Sequence, residues 1–353
     1  MARLDALFKH LKETGGSDLH LGAGLVPHTR VHGEMKPVAG WPEFTDVSLK
    51  AHLKELASPE QWAHYESNLD LDFAYALNGV GRFRSNYLFQ ERGAAAVFRL
   101  IPEKIKTLAE LKMPPAIASF ADLEQGLVLV TGPTGSGKST TLAGIIDLIN
   151  TKHAKHVVTI EDPVEFVHPN KSCTISQREV GQDTESFASA LRAAMRQDPG
   201  VILVGEMRDM ETIGLAITAA EMGVLVFGTL HTNNAPKTID RLIDAFPTDQ
   251  QGQVRTMLSE SLAGIVSQLL LRTADGKGRV AVNEILMKTP GLPNVIREGN
   301  TPMIHSIIQS GKSQGMQAMD DVLFTLAQEG RINGEEAFHK ATNKQRFEQF
   351  VRE

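Results

Sequence analysis

The sequence predicts an α/β protein: a core built on a parallel sheet, preceded by a small α+β domain and followed by C-terminal helices. Three observations predict it. Short apolar runs recur at 127–130, 157–160, 201–204, 224–228 and 279–286, with longer helical or mixed segments between them. That is the pattern of strands buried on both faces of a parallel sheet. Upstream, residues 69–101 alternate apolar and polar side chains through turns at Asn78-Gly79 and Glu91-Arg92-Gly93, as antiparallel hairpins do. From Thr289 onward the signals become helical and more polar. The expected organisation is therefore a domain over 1–100, a linker over 101–115, the core over 116–288 and a helical region over 289–353.

The chain of 353 residues is long enough for two sizeable cores, and 42% hydrophobic with 22% charged residues is ordinary globular composition. A formal net charge of −6 argues against a nucleic-acid partner, which a basic domain would serve. The single cysteine, Cys173, rules out a disulfide framework and a four-cysteine zinc module, and fits a reducing, cytoplasmic compartment. The N-terminus Met-Ala-Arg-Leu-Asp-Ala-Leu-Phe-Lys lacks the apolar centre of a signal peptide. No apolar run nears the roughly 20 residues of a membrane span, so a membrane link is expected only through a partner.

Taken in order, Leu4, Leu7, Phe8 and Leu11 keep helical spacing, and Thr14-Gly15-Gly16 ends that helix. Ser17-Asp18-Leu19-His20-Leu21 alternates as a half-buried strand does, and Val26 to Val38 reads as a hairpin around Gly33. Residues 46–66 read as helical, carrying Leu49, Leu53, Leu56 and Trp62. Leu69, Leu71, Phe73, Tyr75 and Leu77 then line one strand face. On the return strand Phe83, Tyr87 and Phe89 share one face while Arg82, Arg84 and Asn86 share the other, and the next strand carries Arg99. The prolines of 101–115 mark the linker. In the core, Glu185–Gln197 sets Phe187, Leu191, Ala194 and Met195 on one helical side, and the segment from Asp249 is expected to keep Leu258, Leu262, Ile265 and Leu269 together.

The chemistry concentrates at residues 126–141, where a buried strand runs into Gly132-Pro133-Thr134-Gly135-Ser136-Gly137-Lys138-Ser139-Thr140 and then a helix. This is G-x-x-x-x-G-K-[ST] in a strand–loop–helix setting. Its glycines let backbone N–H groups converge on a polyphosphate at a helix N-terminus. Lys138 would neutralise β/γ-phosphate charge and Ser139 would ligate Mg²⁺. A bound nucleoside triphosphate follows, and without an Asn-Lys-x-Asp guanine signature ATP is the default.

Other groups of such a site belong at the C-terminal ends of neighbouring strands. Val201 to Val204 ends in Gly205-Glu206, where Glu206 could orient water for in-line attack or hold Mg²⁺ through water, or simply pair with Arg208. Thr159-Ile160-Glu161-Asp162-Pro163 places paired carboxylates after a strand, for Mg²⁺ or the attacking water. His231, in Gly228-Thr229-Leu230-His231-Thr232-Asn233, could hydrogen-bond the γ-phosphate and report its loss. Arg82, Arg84 and Arg99 lie in the other domain and could supply arginine-finger charge, an effect of roughly 10³–10⁵ in rate, if that domain closes.

The ordered set 132–140, 159–165, 205–209 and 228–233 resembles the secretion-ATPase superfamily of type II and type IV systems, as its Walker A, Asp, Walker B and His boxes. The likeness extends to Ser17–Leu21 and to the Arg82–Arg99 block. Within the superfamily the chain is most similar to the retraction motors of type IV pili: it has one compact N-terminal domain and no four-cysteine insertion. Val295-Ile296-Arg297-Glu298-Gly299-Asn300 stands where those motors carry an alanine-isoleucine-arginine-asparagine-leucine-isoleucine motif, and keeps part of it. The resemblance implies a RecA-like ATPase core, a PAS-like N-terminal domain, a homohexameric ring and Glu206 as the catalytic carboxylate. It also implies nucleotide contacts from Arg82, Arg84 or Arg99, and ATP-driven pilus retraction through an inner-membrane platform protein, beside related pilus ATPases. An assembly or secretion ATPase of the same fold would work in the opposite direction. A nucleic-acid translocase, or a module that binds ATP without hydrolysing it, would share the triphosphate site.

Overall fold

The computed structural model describes residues 4–31, 33–101 and 104–351; Met1-Ala2-Arg3 of the N-terminal reading, His32 of the expected hairpin and Pro102 of the expected linker lie outside them. The chain divides into two units, residues 1–104 with 163–167, and 105–162 with 168–353.

The first unit opens with α1 (Asp5–Glu13), whose Leu7, Phe8 and Leu11 are fully buried together with Leu4. β1 (Asp18–Gly22), β2 (His28–Val31) and β3 (Glu34–Pro37) follow. Gly33, between β2 and β3, has φ 87°, a turn conformation that glycine adopts without strain. The helical stretch expected over 46–66 forms two helices, α2 (Asp46–Leu56) and α3 (Pro59–Asn68). Ser58 and Gln61 form a capping box around Pro59, which starts a helix well but supplies no N–H to continue one. Leu69 ends α3 in the left-handed region and is 53% exposed, so it leaves the apolar face expected for it. β4 (Asp70–Leu77), β5 (Gly81–Gln90) and β6 (Gly93–Ile101) complete an antiparallel sheet of order β3-β2-β1-β6-β5-β4. Phe83 and Tyr87 are buried as expected, whereas Phe89 is 44% exposed beneath the Lys50 ammonium near the end of β5.

The second unit is organised on β7 (Gly126–Thr131), β8 (His156–Glu161), β9 (Thr174–Glu179), β10 (Val201–Val204), β11 (Leu225–Leu230), β12 (Leu262–Arg272) and β13 (Arg279–Met287), in the order β13-β12-β7-β11-β10-β8-β9. All neighbours are parallel except β12 and β13. Residues 115–261 also supply α4 (Pro115–Ser119), α5 (Lys138–Lys152), α6 (Phe187–Ala194), α7 (Met210–Glu221), α8 (Ala235–Asp244) and α9 (Thr248–Ser261). Two apolar clusters cover the two faces of this sheet, one containing Leu127, Leu129 and Ile265, the other Val128, Val130 and Val266. In the stretch expected as linker, Leu108 is buried in the second of these clusters. Beyond the sheet come α10 (Leu292–Arg297), α11 (Ile304–Ser310), α12 (Met319–Gln328), α13 (Gly334–Lys340) and α14 (Lys344–Phe347); the last three share an apolar cluster with Leu271 and Val282.

Two strands differ from expectation. β9, Thr-Ile-Ser-Gln-Arg-Glu, is a polar strand at the sheet edge and is mostly half-buried, so it carries no apolar run. β12 replaces the helical continuation expected for Leu262, Ile265 and Leu269. A register shift between Leu262 and Gly264 puts Leu262 and Ile265 on the same sheet face. A bulge thereby imitates the i, i+3 spacing of a helix. Among the described residues no helix is long and apolar enough to cross a membrane.

Candidate active site

The parallel register aligns β7, β11, β10 and β8 through Thr131↔Leu230, Val204↔Gly228 and Val204↔Ile160. The loop 132–137, Glu206, His231 and Glu161 therefore all follow strand ends at one edge of the sheet. Ligands of open parallel sheets bind at such an edge.

The loop is held from below. Gly132 N–H donates to Leu230 O at 3.2 Å, and Thr131 Oγ1 donates to Ser267 Oγ at 2.9 Å. Gly132 has φ 145°, and a Cβ there would collide with the backbone oxygen of Gln268. Gly137 has φ 86° and caps α5. Pro133, Thr134 and Gly135 are exposed, Ser139 and Thr140 half-buried at the start of α5, and Ser136 buried. Lys138 Nζ donates to the carbonyls of Gly132 (2.8 Å) and Pro133 (3.1 Å), lying along the loop it would serve.

Glu206 forms the second feature. Thr229 Oγ1 donates to Gly205 O at 2.5 Å and Met207 N–H donates to Thr229 O at 3.1 Å, fixing the turn after β10 against β11. From that turn the Glu206 carboxylate meets Arg208 through both oxygens, Nη2 to Oε2 and Nε to Oε1, each at 2.6 Å. His231 Nε2 lies 2.9 Å from Oε1. The hydrogen bonds from Arg208, aided by its charge and by His231, hold the carboxyl below the usual glutamate range despite partial burial. Of the alternatives for Glu206, the structure shows the pairing with Arg208, made at the strand end beside His231. Asp209 caps α7, accepting from Thr212 N–H at 2.8 Å.

Glu161 ends β8, and its Oε1 accepts from Thr159 Oγ1 (2.6 Å) and Gln177 Nε2 (3.0 Å). Two strands lie between β8 and β7, so their ends stand about 14 Å apart at the usual strand spacing.

In the first unit Arg84 pairs across β5 and β6 with Arg99, and Arg99 with Asp18 of β1. Arg99 Nε donates to Asp18 Oδ1 at 2.8 Å, and Ser17 Oγ to Oδ2 at 2.7 Å. Burial raises the Asp18 pKa, but these bonds and the Arg99 charge outweigh it and hold the carboxyl below its ordinary value. A depressed acid stabilises the fold above its unfolded pKa and loses that contribution as pH falls through the folded one. Asp18→Asn is accordingly expected to cost about 1–2 kcal/mol at pH 7 and progressively less below pH 4, because Arg99 is itself exposed. Denaturant unfolding at pH 7 and pH 3 checks this; equal losses at both would contradict it.

Two buried polar side chains escaped the sequence reading. Gln268 of β12 touches the loop directly, its Nε2 donating to Ser136 O at 2.6 Å. Glu284 of β13 accepts from Ala235 N–H at the start of α8 (2.8 Å), and burial pushes its carboxyl up. The available signal was a polar residue inside an otherwise apolar strand: Ser-Gln-Leu-Leu-Leu and Val-Asn-Glu-Ile-Leu.

Comparison with known proteins gives the following. The family described as "Type II/IV secretion system protein" matches residues 4–346. The chain is 50% identical over 333 residues, 94% of its length and 96% of the relative's, to "Type IV pilus retractation ATPase PilT" of Pseudomonas aeruginosa. It is 50% identical over 323 residues, 92% of this chain and 86% of the other, to "Twitching motility protein" of Neisseria gonorrhoeae. Among solved structures it is similar to "Crystal Structure of the Pilus Retraction Motor PilT and Bound ADP", with a TM-score of 0.91 and 43% identity across 99% of both chains.

Proposed function

The chain belongs to the type II/IV secretion system protein family, and from that premise we propose that it is an ATP-hydrolysing motor that powers type IV pilus retraction. The observation that carries the chemistry is the meeting of Glu206, Arg208 and His231 at the same sheet edge as the glycine loop. In the proposed reaction the loop N–H groups and Lys138 hold the β- and γ-phosphates. Glu206, kept ionised by Arg208, orients a water for in-line attack on the γ-phosphorus. The new P–O bond forms as the β–γ bridging bond breaks, and the water's proton passes to the released phosphate, leaving ADP and protonated inorganic phosphate. A carboxylate of depressed pKa is a weak base, so its contribution is positioning and polarising water rather than full proton removal. His231, in contact with the same oxygen, is set to sense the change in charge.

Mg²⁺ suits this site. Ser139, half-buried at the start of α5 beside the loop, offers the hydroxyl that an ion carried on the phosphates would take from the chain, with waters filling the rest of its shell. Ser139 would hold it directly, while Glu161, at a strand end about 14 Å from that of β7, could act on it only through a chain of waters. The ion would neutralise developing charge. Arg82, Arg84 and Arg99 complete the proposal as further positive charge toward nucleotide, a role supported by the family resemblance alone. A homohexameric ring, a cytoplasmic position and coupling to an inner-membrane platform protein belong to the same reading.

Deletion of the gene separates the directions of work. Loss of a retraction motor leaves cells with excess surface pili and no twitching, restored by the wild-type chain; bald cells would point to assembly instead. Single-stranded DNA is expected to leave the ATPase rate unchanged.

A further inference from the structure

We infer that Gln268 is a positioning residue for the phosphate loop, held in its working orientation by Asn283. The inference rests on reading residues 132–137 as a polyphosphate cradle and deepens that reading. Gln268 is 1% exposed and lies one residue beyond Ser267, which pairs with Thr131 at the end of β7. Its backbone therefore lies beside the start of the loop, and its side chain reaches the loop's end. A buried amide is costly unless bonded, and the partners of this one identify its purpose. Nε2 donates to Ser136 O within the loop at 2.6 Å. Oε1 accepts from Thr141 Oγ1 in the first turn of α5 at 2.8 Å and from Asn283 Nδ2 of β13 at 3.0 Å. With two donors on its oxygen the amide cannot flip without losing both.

The consequence follows from peptide geometry. In a trans peptide the C=O and the next N–H point in opposite directions. Tying the Ser136 carbonyl down onto Gln268 turns the Gly137 N–H up and away from the core, toward the phosphates. Gly137 at φ 86° has little of its own to oppose a peptide flip. Glycine supplies the freedom and Gln268 removes it. Gln317 Nε2, just ahead of α12, donates to the backbone carbonyl of Asn283 at 2.7 Å, which ties the strand that presents this amide to the C-terminal segment.

The test is inhibition of turnover by ADP and by adenosine, with the KM for ATP and the melting temperature, in Gln268→Met and Asn283→Ala. One misdirected N–H at a charged phosphate costs a factor of order ten. Gln268→Met is expected to raise the KM for ATP and the inhibition constant of ADP about tenfold, with adenosine inhibition and kcat changed less than about threefold. Asn283→Ala is expected to act the same way by about threefold. A purely packing role would weaken adenosine and ADP alike. Parallel losses, or ADP affinities within the error of wild type in both variants, would overturn the inference. If Gln268→Met does not fold, Asn283→Ala decides by the same ratio. A wild-type protein blind to ADP would instead defeat the nucleotide reading itself, so the two failures are distinguishable.

Discussion

Glu206→Gln is expected to lower ATP turnover by about 10²–10⁴ while leaving ATP affinity within about threefold of wild type. In the proposed reaction the carboxylate contributes to the attacking water rather than to the phosphates. The amide keeps the shape and one acceptor but not the charge that polarises water. Stability should barely change. The Arg208 side chain is 72% exposed, so the lost ion pair is worth about 1 kcal/mol or less. The wild-type pH profile carries a second signature. Because Arg208 holds the Glu206 pKa down, ionisation persists as pH falls into the usual glutamate range, and the acid limb of kcat/KM should lie below that range. Steady-state rates with nucleotide titrations check both parts. Near-normal turnover in the glutamine variant would remove Glu206 from the chemistry.

Lys138→Ala should fail differently. A charge about 4 Å from a phosphate oxygen, at an effective dielectric of about 20, contributes about 4 kcal/mol. Removing it should lower kcat/KM by about 10³ and weaken ATP and ADP binding together. In the structure the ammonium rests on the carbonyls of Gly132 and Pro133. The Pro133 bond is exposed and the Gly132 bond only part-buried, so the melting temperature should fall by no more than a few degrees. The contrast is diagnostic: the glutamine variant binds without turning over, and the alanine variant does neither. ATP titration by calorimetry distinguishes them, and tight ATP binding by Lys138→Ala would contradict the cradle.

Much of this arrangement was legible because it is local. The glycine loop follows its strand within a few residues, and backbone freedom at Gly132 and Gly137 is a property of those residues alone. The strand-end position of Glu206 and His231 could be inferred because a run such as Val201–Val204 is too apolar for anything but the inside of a sheet. Elsewhere local patterns misled. The bulge in β12 gave Leu262 and Ile265 a helical period, and β9 escaped notice because an edge strand need not be apolar. Pro59 divided a helix that its hydrophobic spacing made continuous, although the Ser58-Pro59 start signal was there to be read.

By itself the sequence determined the class of fold, the phosphate-binding loop and the residue types able to act on a triphosphate, since each depends on short-range periodicity and on the chemistry of single side chains. Only the tertiary structure decided what those side chains meet. His231 meets Glu206 across 25 residues, beside the Arg208 that stands only two residues away, and Gln268 reaches back 132 residues to Ser136. The physical reason is the register of a parallel sheet: it brings strand ends together irrespective of their separation in the chain, and burial there compels each polar group to find a partner.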